Sequence, residues 1–117
     1  MIPERAVELG RLIGQTEEYK ALKRAEGRLT EATDLRGKLE QLRRMAETLE
    51  RQAVEGTPPS EADANAYDQL LNTIQVDPVY QGVVAAQANF DKLMSRVNQQ
   101  ILEGIAKGAA SPIITLG

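Results

Sequence analysis

The nine residues Glu55–Asp63, EGTPPSEAD, decide how this chain folds. Gly56 is a helix stop and Pro58-Pro59 cannot continue a helix. Ser60, with Asp63 three residues on, reads as a capping box with the shorter acid. A helix therefore ends here and another begins, and the turn between them sends long helices back antiparallel to each other.

Upstream, no proline interrupts the chain from Thr16 to Glu55. Leu22, Ala25, Leu29, Ala32, Leu35, Leu39, Leu42, Ala46, Leu49 and Ala53 recur in steps of three or four. The mean step is about 3.4 residues, close to the 3.5 of a left-handed coiled-coil seam. Glu40–Arg44 and Glu47–Arg51 are i,i+4 pairs in the better orientation. Gly27 and Gly37 each cost about 1 kcal/mol relative to Ala, so they mark the weak points of this helix. Before it, PERAVELGRLIG opens with Pro3 at a first helical position and places Ala6, Leu9, Leu12 and Ile13 on one stripe. Gly14 ends that short helix, and Thr16 caps the next, with Glu17 and Glu18 at the positive end of its dipole.

Downstream, a short helix carries Ala66, Leu70, Leu71 and Ile74. Asp77-Pro78 then supplies an N-cap and a first-turn proline to a long helix running to about Lys107. IGQTEEY, from Ile13, and IQVDPVY, from Ile74, are near-copies 61 positions apart, matching Thr16 with Asp77, Tyr19 with Tyr80 and Ala25 with Ala86. The match is a repeat of architecture, in which each long helix is capped after a short one. The expected fold is all-α: an elongated antiparallel helical hairpin or bundle of two short-helix/long-helix units, at about 3–14, 17–55, 60–75 and 78–107. It forms one domain, with a small-residue tail at 108–117 that includes Ile113-Ile114.

Composition agrees with helices. Apolar residues make up 42% of the 117 but aromatics only 3%, so the core is aliphatic and fills helix–helix seams. The net charge of −3 gives no general attraction for nucleic acid. No Cys and no His occur, which excludes disulfides, thiolate or imidazole metal sites and Ser-His-Asp or Cys-His catalysis within the chain. The apolar runs are far shorter than the ~20 residues of a membrane span. The start, MIPERAVELG, is charged too early for a secretory signal. A soluble cytoplasmic protein with no cofactor is expected.

Little catalytic chemistry can be assembled. Glu47/Glu50 and Glu31/Asp34 have i,i+3 spacing for a divalent metal, but the helical di-metal pattern needs Glu-x-x-His. A metal hydrolase is therefore the weakest reading. Lys20, Lys23, Arg24 and Arg28 form a basic ridge for an acidic partner or an RNA backbone. No aromatics interleave with them for base stacking, so direct nucleic-acid binding is not expected. The last helix is more informative. Its core stripe is centred on Val83, Phe90, Val97 and Ile101; Tyr80, Val84 and Leu102 lie to one side, and Ile105 bridges towards them. The apolar arc covers about half the circumference, wider than a surface helix needs. Such a helix is either central in one copy or part of a subunit interface. The preferred expectation is a homo-oligomer with Tyr80, Val84, Leu102 and Ile105 in the interface; in the other reading Val84 and Leu102 cover the short helices.

Two blocks resemble a known family. LGRLIGQTEEYKALKRA is similar to the first block of the bacterial YlbF/YmcA family, and LLNTIQVDPVYQGVVAAQANFDKLMSRVNQQI to its second. Asp77 stands where Asn is commoner in the family, which keeps the cap. The resemblance implies a small all-helical, non-enzymatic cytoplasmic regulator of competence, sporulation and biofilm formation, acting through protein contacts and alongside ribonuclease Y in RNA processing. Some members hold iron–sulfur clusters through Cys; a chain without Cys does not inherit that role. The alternatives are an RNA-associated accessory protein using the basic ridge and a purely structural helical oligomer.

Overall fold

The computed structural model describes residues 1–110, in which five helices follow one another. These are α1 (Ile2–Gly14), α2 (Glu17–Glu31), α3 (Thr33–Val54), α4 (Glu61–Gln75) and α5 (Pro78–Ala110). No strand occurs among the described residues, so the all-α expectation holds. Of the expected tail, Gly108–Ala110 continue α5, while Ile113-Ile114 lie outside the described residues.

The turn at Glu55–Asp63 forms as its residues dictate. Gly56 adopts φ 75°, the left-handed conformation that glycine tolerates. Its N–H donates to Ala53 O at 3.2 Å and that of Thr57 donates to Gln52 O at 2.9 Å, which is a Schellman stop. Ser60 Oγ then accepts from the Asp63 N–H at 3.1 Å and starts α4.

One expected helix is two. The run 17–55 breaks at Ala32, whose ψ of 76° is not helical. Ala32 N–H still donates to Arg28 O, and the next helix restarts with Arg36 N–H to Ala32 O, both at 3.0 Å. Arg36 Nη1 reaches back 3.3 Å to Thr30 O and satisfies one freed carbonyl. The break falls at neither Gly27 nor Gly37 but at alanine, the best helix former, so packing has overridden propensity. The opposite leg is interrupted at the same level. α4 ends at Gln75, and Pro78 has no N–H to carry the helix through. Arg28, one turn before Ala32, lines the same small cleft as Pro78 and Val79. Both legs of the hairpin are therefore interrupted at one level. Leu35 (3% exposed) and Ile74 (1%), the most deeply buried side chains, flank this joint.

On one side of the joint α3 pairs with α4; on the other α2 runs antiparallel to α5, with Glu18 beside Arg96, Tyr19 beside Phe90 and Ala25 near Pro78. The core of this second pair is Leu22, Ala25 and Ala86, with Val83 and Phe90 packed on it. Leu22 with Val83, and Ala25 with Ala86, are themselves pairs separated by the 61-residue offset. The matched caps also behave alike: Thr16 Oγ1 accepts from Tyr19 N–H at 3.2 Å, and Asp77 Oδ1 from Val79 N–H at 2.8 Å and Tyr80 N–H at 3.4 Å. The resemblance between the two stretches thus becomes two helices meeting at their small residues.

The shape is extended. The principal extents are 70 × 36 × 19 Å and the radius of gyration is 21.9 Å, against ~13 Å for a compact chain of this length. A rod so long and thin buries few side chains, and none of the buried ones described is polar.

Candidate functional site

α5 has 33 residues, so it is about 50 Å long. α2 covers it only as far as the Glu18–Arg96 contact, 3.7 Å. Beyond Val97 every residue from Asn98 to Ala110 is exposed. Yet this outer half carries Ile101 (45% exposed), Leu102 (64%) and Ile105 (61%), large apolar side chains in water. Its only charges, Glu103 and Lys107, lie about 160° round the helix from Ile105. The face that carries Ile101, Leu102 and Ile105 is uncharged, with Asn98 as its polar residue.

The four expected interface residues do not form one patch. Tyr80 is half-buried at the joint, and Val84 is exposed on the inner half of α5. Leu102 and Ile105 lie on the outer half, and Tyr80 and Ile105 are ~37 Å apart along the axis. Between them, on the same helix face, Gln87 Nε2 donates to Asp91 Oδ1 at 2.9 Å. That polar pair divides the stripe in two. Nor do Val84 and Leu102 cover the short helices, since neither is buried.

A second apolar stripe runs along α1. α1 precedes Thr16 and so springs from the level where α5 loses its cover. It has no buried residue. Ile2, Ala6, Leu9 and Ile13 make one stripe, of which Leu9 and Ile13 are half-buried and Ile2 is 82% exposed. Glu4, Glu8 and Arg11 occupy the far side. The i,i+3,i+4 spacing reveals this stripe; that it is covered only in part, at Leu9 and Ile13, does not show in the spacing.

The basic ridge is weaker than its residues suggest. Lys20, Lys23, Arg24 and Arg28 are exposed but spread over about 140° of α2. Lys20 lies 3.8 Å from Glu17 and Lys23 3.8 Å from Glu26, so the surface is of mixed sign. The carboxylate pairs fare no better. Glu31 ends α2 while Asp34 lies in the first turn of α3, so the break removes their shared face. Arg43 forms ion pairs with Glu47 and Glu40, and its hydrogen bond to Glu40 holds that carboxyl below its usual range. Among the described residues no three His, Cys, Asp or Glu side chains are grouped to hold a metal. No described helix is long and apolar enough to cross a membrane.

A family model described as control of competence regulator ComK, YlbF/YmcA, matches residues 2–106. The match spans nearly all of the five helices. No curated protein and no solved structure matches the chain.

Proposed function

The chain belongs to the YlbF/YmcA family, and on that footing we propose that it is a non-enzymatic cytoplasmic regulator that works by presenting helical surface to other proteins and to its own copies. The family's description is a regulatory one, the control of ComK. The observation that carries the mechanism is the outer half of α5, where Ile101, Leu102 and Ile105 stand in water with no covering helix. At about 25 cal/mol per Å2 of apolar surface, such a face favours association. Exposed apolar patches on a soluble chain mark interaction sites more often than accidents.

The partner this reading favours is a ribonuclease Y-type enzyme, so that the protein adjusts RNA processing during competence, sporulation and biofilm formation. Purified partner and purified chain mixed without RNA test it: calorimetry should show saturable binding that survives nuclease treatment. Binding that appears only with RNA, and weakens steeply as salt rises, would move the assignment to the RNA-associated alternative. The mixed charge of the Lys20–Arg28 surface argues against that outcome.

A further inference from the structure

The two interruptions of the hairpin are built alike. Tyr19 against Phe90, and Ala25 beside Ala86, fix the antiparallel register of α2 and α5. Counting on from Ala25 to Ala32, and back by the same number from Ala86, arrives at Val79, so the break in the first leg faces the start of α5. At each break a side chain reaches back to a backbone oxygen that the helix has left free. Arg36 Nη1 donates to Thr30 O at 3.3 Å, and Gln81 Nε2 donates to Gln75 O at 3.0 Å, each across six residues. Both bonds are exposed, so water competes for the same oxygens and either bond opens easily.

Little else spans the joint. The extensive packing lies within each pair, α2 with α5 and α3 with α4, and it is sparse between the pairs. α3 starts after Ala32 with no side-chain cap, so no cap fixes the direction in which it leaves α2. Leu35 and Ile74, buried beside the joint, are apolar, and burial of apolar surface has no preferred direction. An apolar pivot, two chain breaks at one level and two exposed bonds across them are the parts of a hinge, in which residues at helix ends absorb the rotation. We infer that the α3/α4 arm swings on the α2/α5 body about the line from Ala32 to Val76–Asp77, and that Arg36 and Gln81 are the latches that hold its angle. A partner that touches arm and body together then selects one angle from those the hinge allows. The inference goes beyond the proposed contacts, since it requires neither a second copy nor the ribonuclease.

Distances between paired spin labels on the full chain test it. The chain has no Cys, so labels attach only where Cys is introduced. Glu50→Cys with Asn89→Cys spans arm and body, while Asp34→Cys with Glu50→Cys lies within α3 and measures the labels' own spread. All three positions are exposed. Dilution with excess unlabelled chain restricts the reading to distances within one copy. Removing both latches, Arg36→Ala with Gln81→Ala, replaces exposed residues with the best helix former, so the helices persist and circular dichroism should be unchanged. The width of the arm-to-body distribution should then grow about twofold, with the α3 pair unaffected. An arm-to-body width that stays the same without the latches would overturn the hinge. So would equal broadening of the α3 pair, because the helix itself would then be unravelling with no rotation at the joint.

Discussion

The inner and outer halves of α5 are one helix in two environments. From Pro78 to Val97 its apolar stripe lies against α2, where Ala86 is 8% exposed and packs on Leu22 and Ala25, and Phe90 meets the Tyr19 ring at 5.7 Å. From Asn98 to Ala110 the stripe continues through Ile101 and Ile105 with α2 gone. The residue types barely change across the boundary. Burial does, because α2 begins at Glu17 and its first turn reaches only the level of Arg96. The same pattern that packs α5 against α2 therefore leaves apolar side chains in water where the covering helix runs out.

That contrast predicts a graded set of outcomes, best measured by chemical denaturation at one fixed protein concentration. Leu22→Ala, in the covered half, should cost the most, about 2–4 kcal/mol, since it opens a cavity against Ala86. A loss below about 1 kcal/mol would mean that the α2/α5 seam is not the core. Asp77→Ala removes the acceptor for two backbone N–H groups at the start of α5 and should cost about 1 kcal/mol. Gly27→Ala should stabilise by about 0.5–1 kcal/mol, because open space surrounds the position and the helix runs through it. Destabilisation there would place a neighbour against α2. Leu102→Glu, in the uncovered half, should change stability by no more than about 0.5 kcal/mol. A loss as large as that of Leu22→Ala would erase the difference between the halves.

Much of the fold was legible because it rests on local chemistry. Gly56, Ser60, Thr16 and Asp77 each end or start a helix as their side chains require. The missed joint shows the limit. Ala32 itself is a strong helix former, yet the helix breaks there, at the level where the opposite leg is interrupted at Pro78. Of the four residues that the width of the apolar arc predicts at an interface, the structure leaves Val84, Leu102 and Ile105 exposed and Tyr80 half-buried. Tyr80 and Val84 satisfied the same arc but sit elsewhere, because a helical wheel discards distance along the axis. The apolar side of α1 was visible as a stripe, but its lack of cover depends on where other helices lie.

The sequence by itself determined five of the things that make this protein: its helical class, its caps, its turn at Glu55–Asp63, its family, and which side of each helix repels water. These follow from residues acting on neighbours a turn or two away. Only the tertiary structure decided that the first leg breaks at Ala32 and which apolar stripes are covered. Those depend on contacts between segments 50 or more residues apart, such as Ala25 with Ala86, whose relative reach along the axis no local pattern encodes.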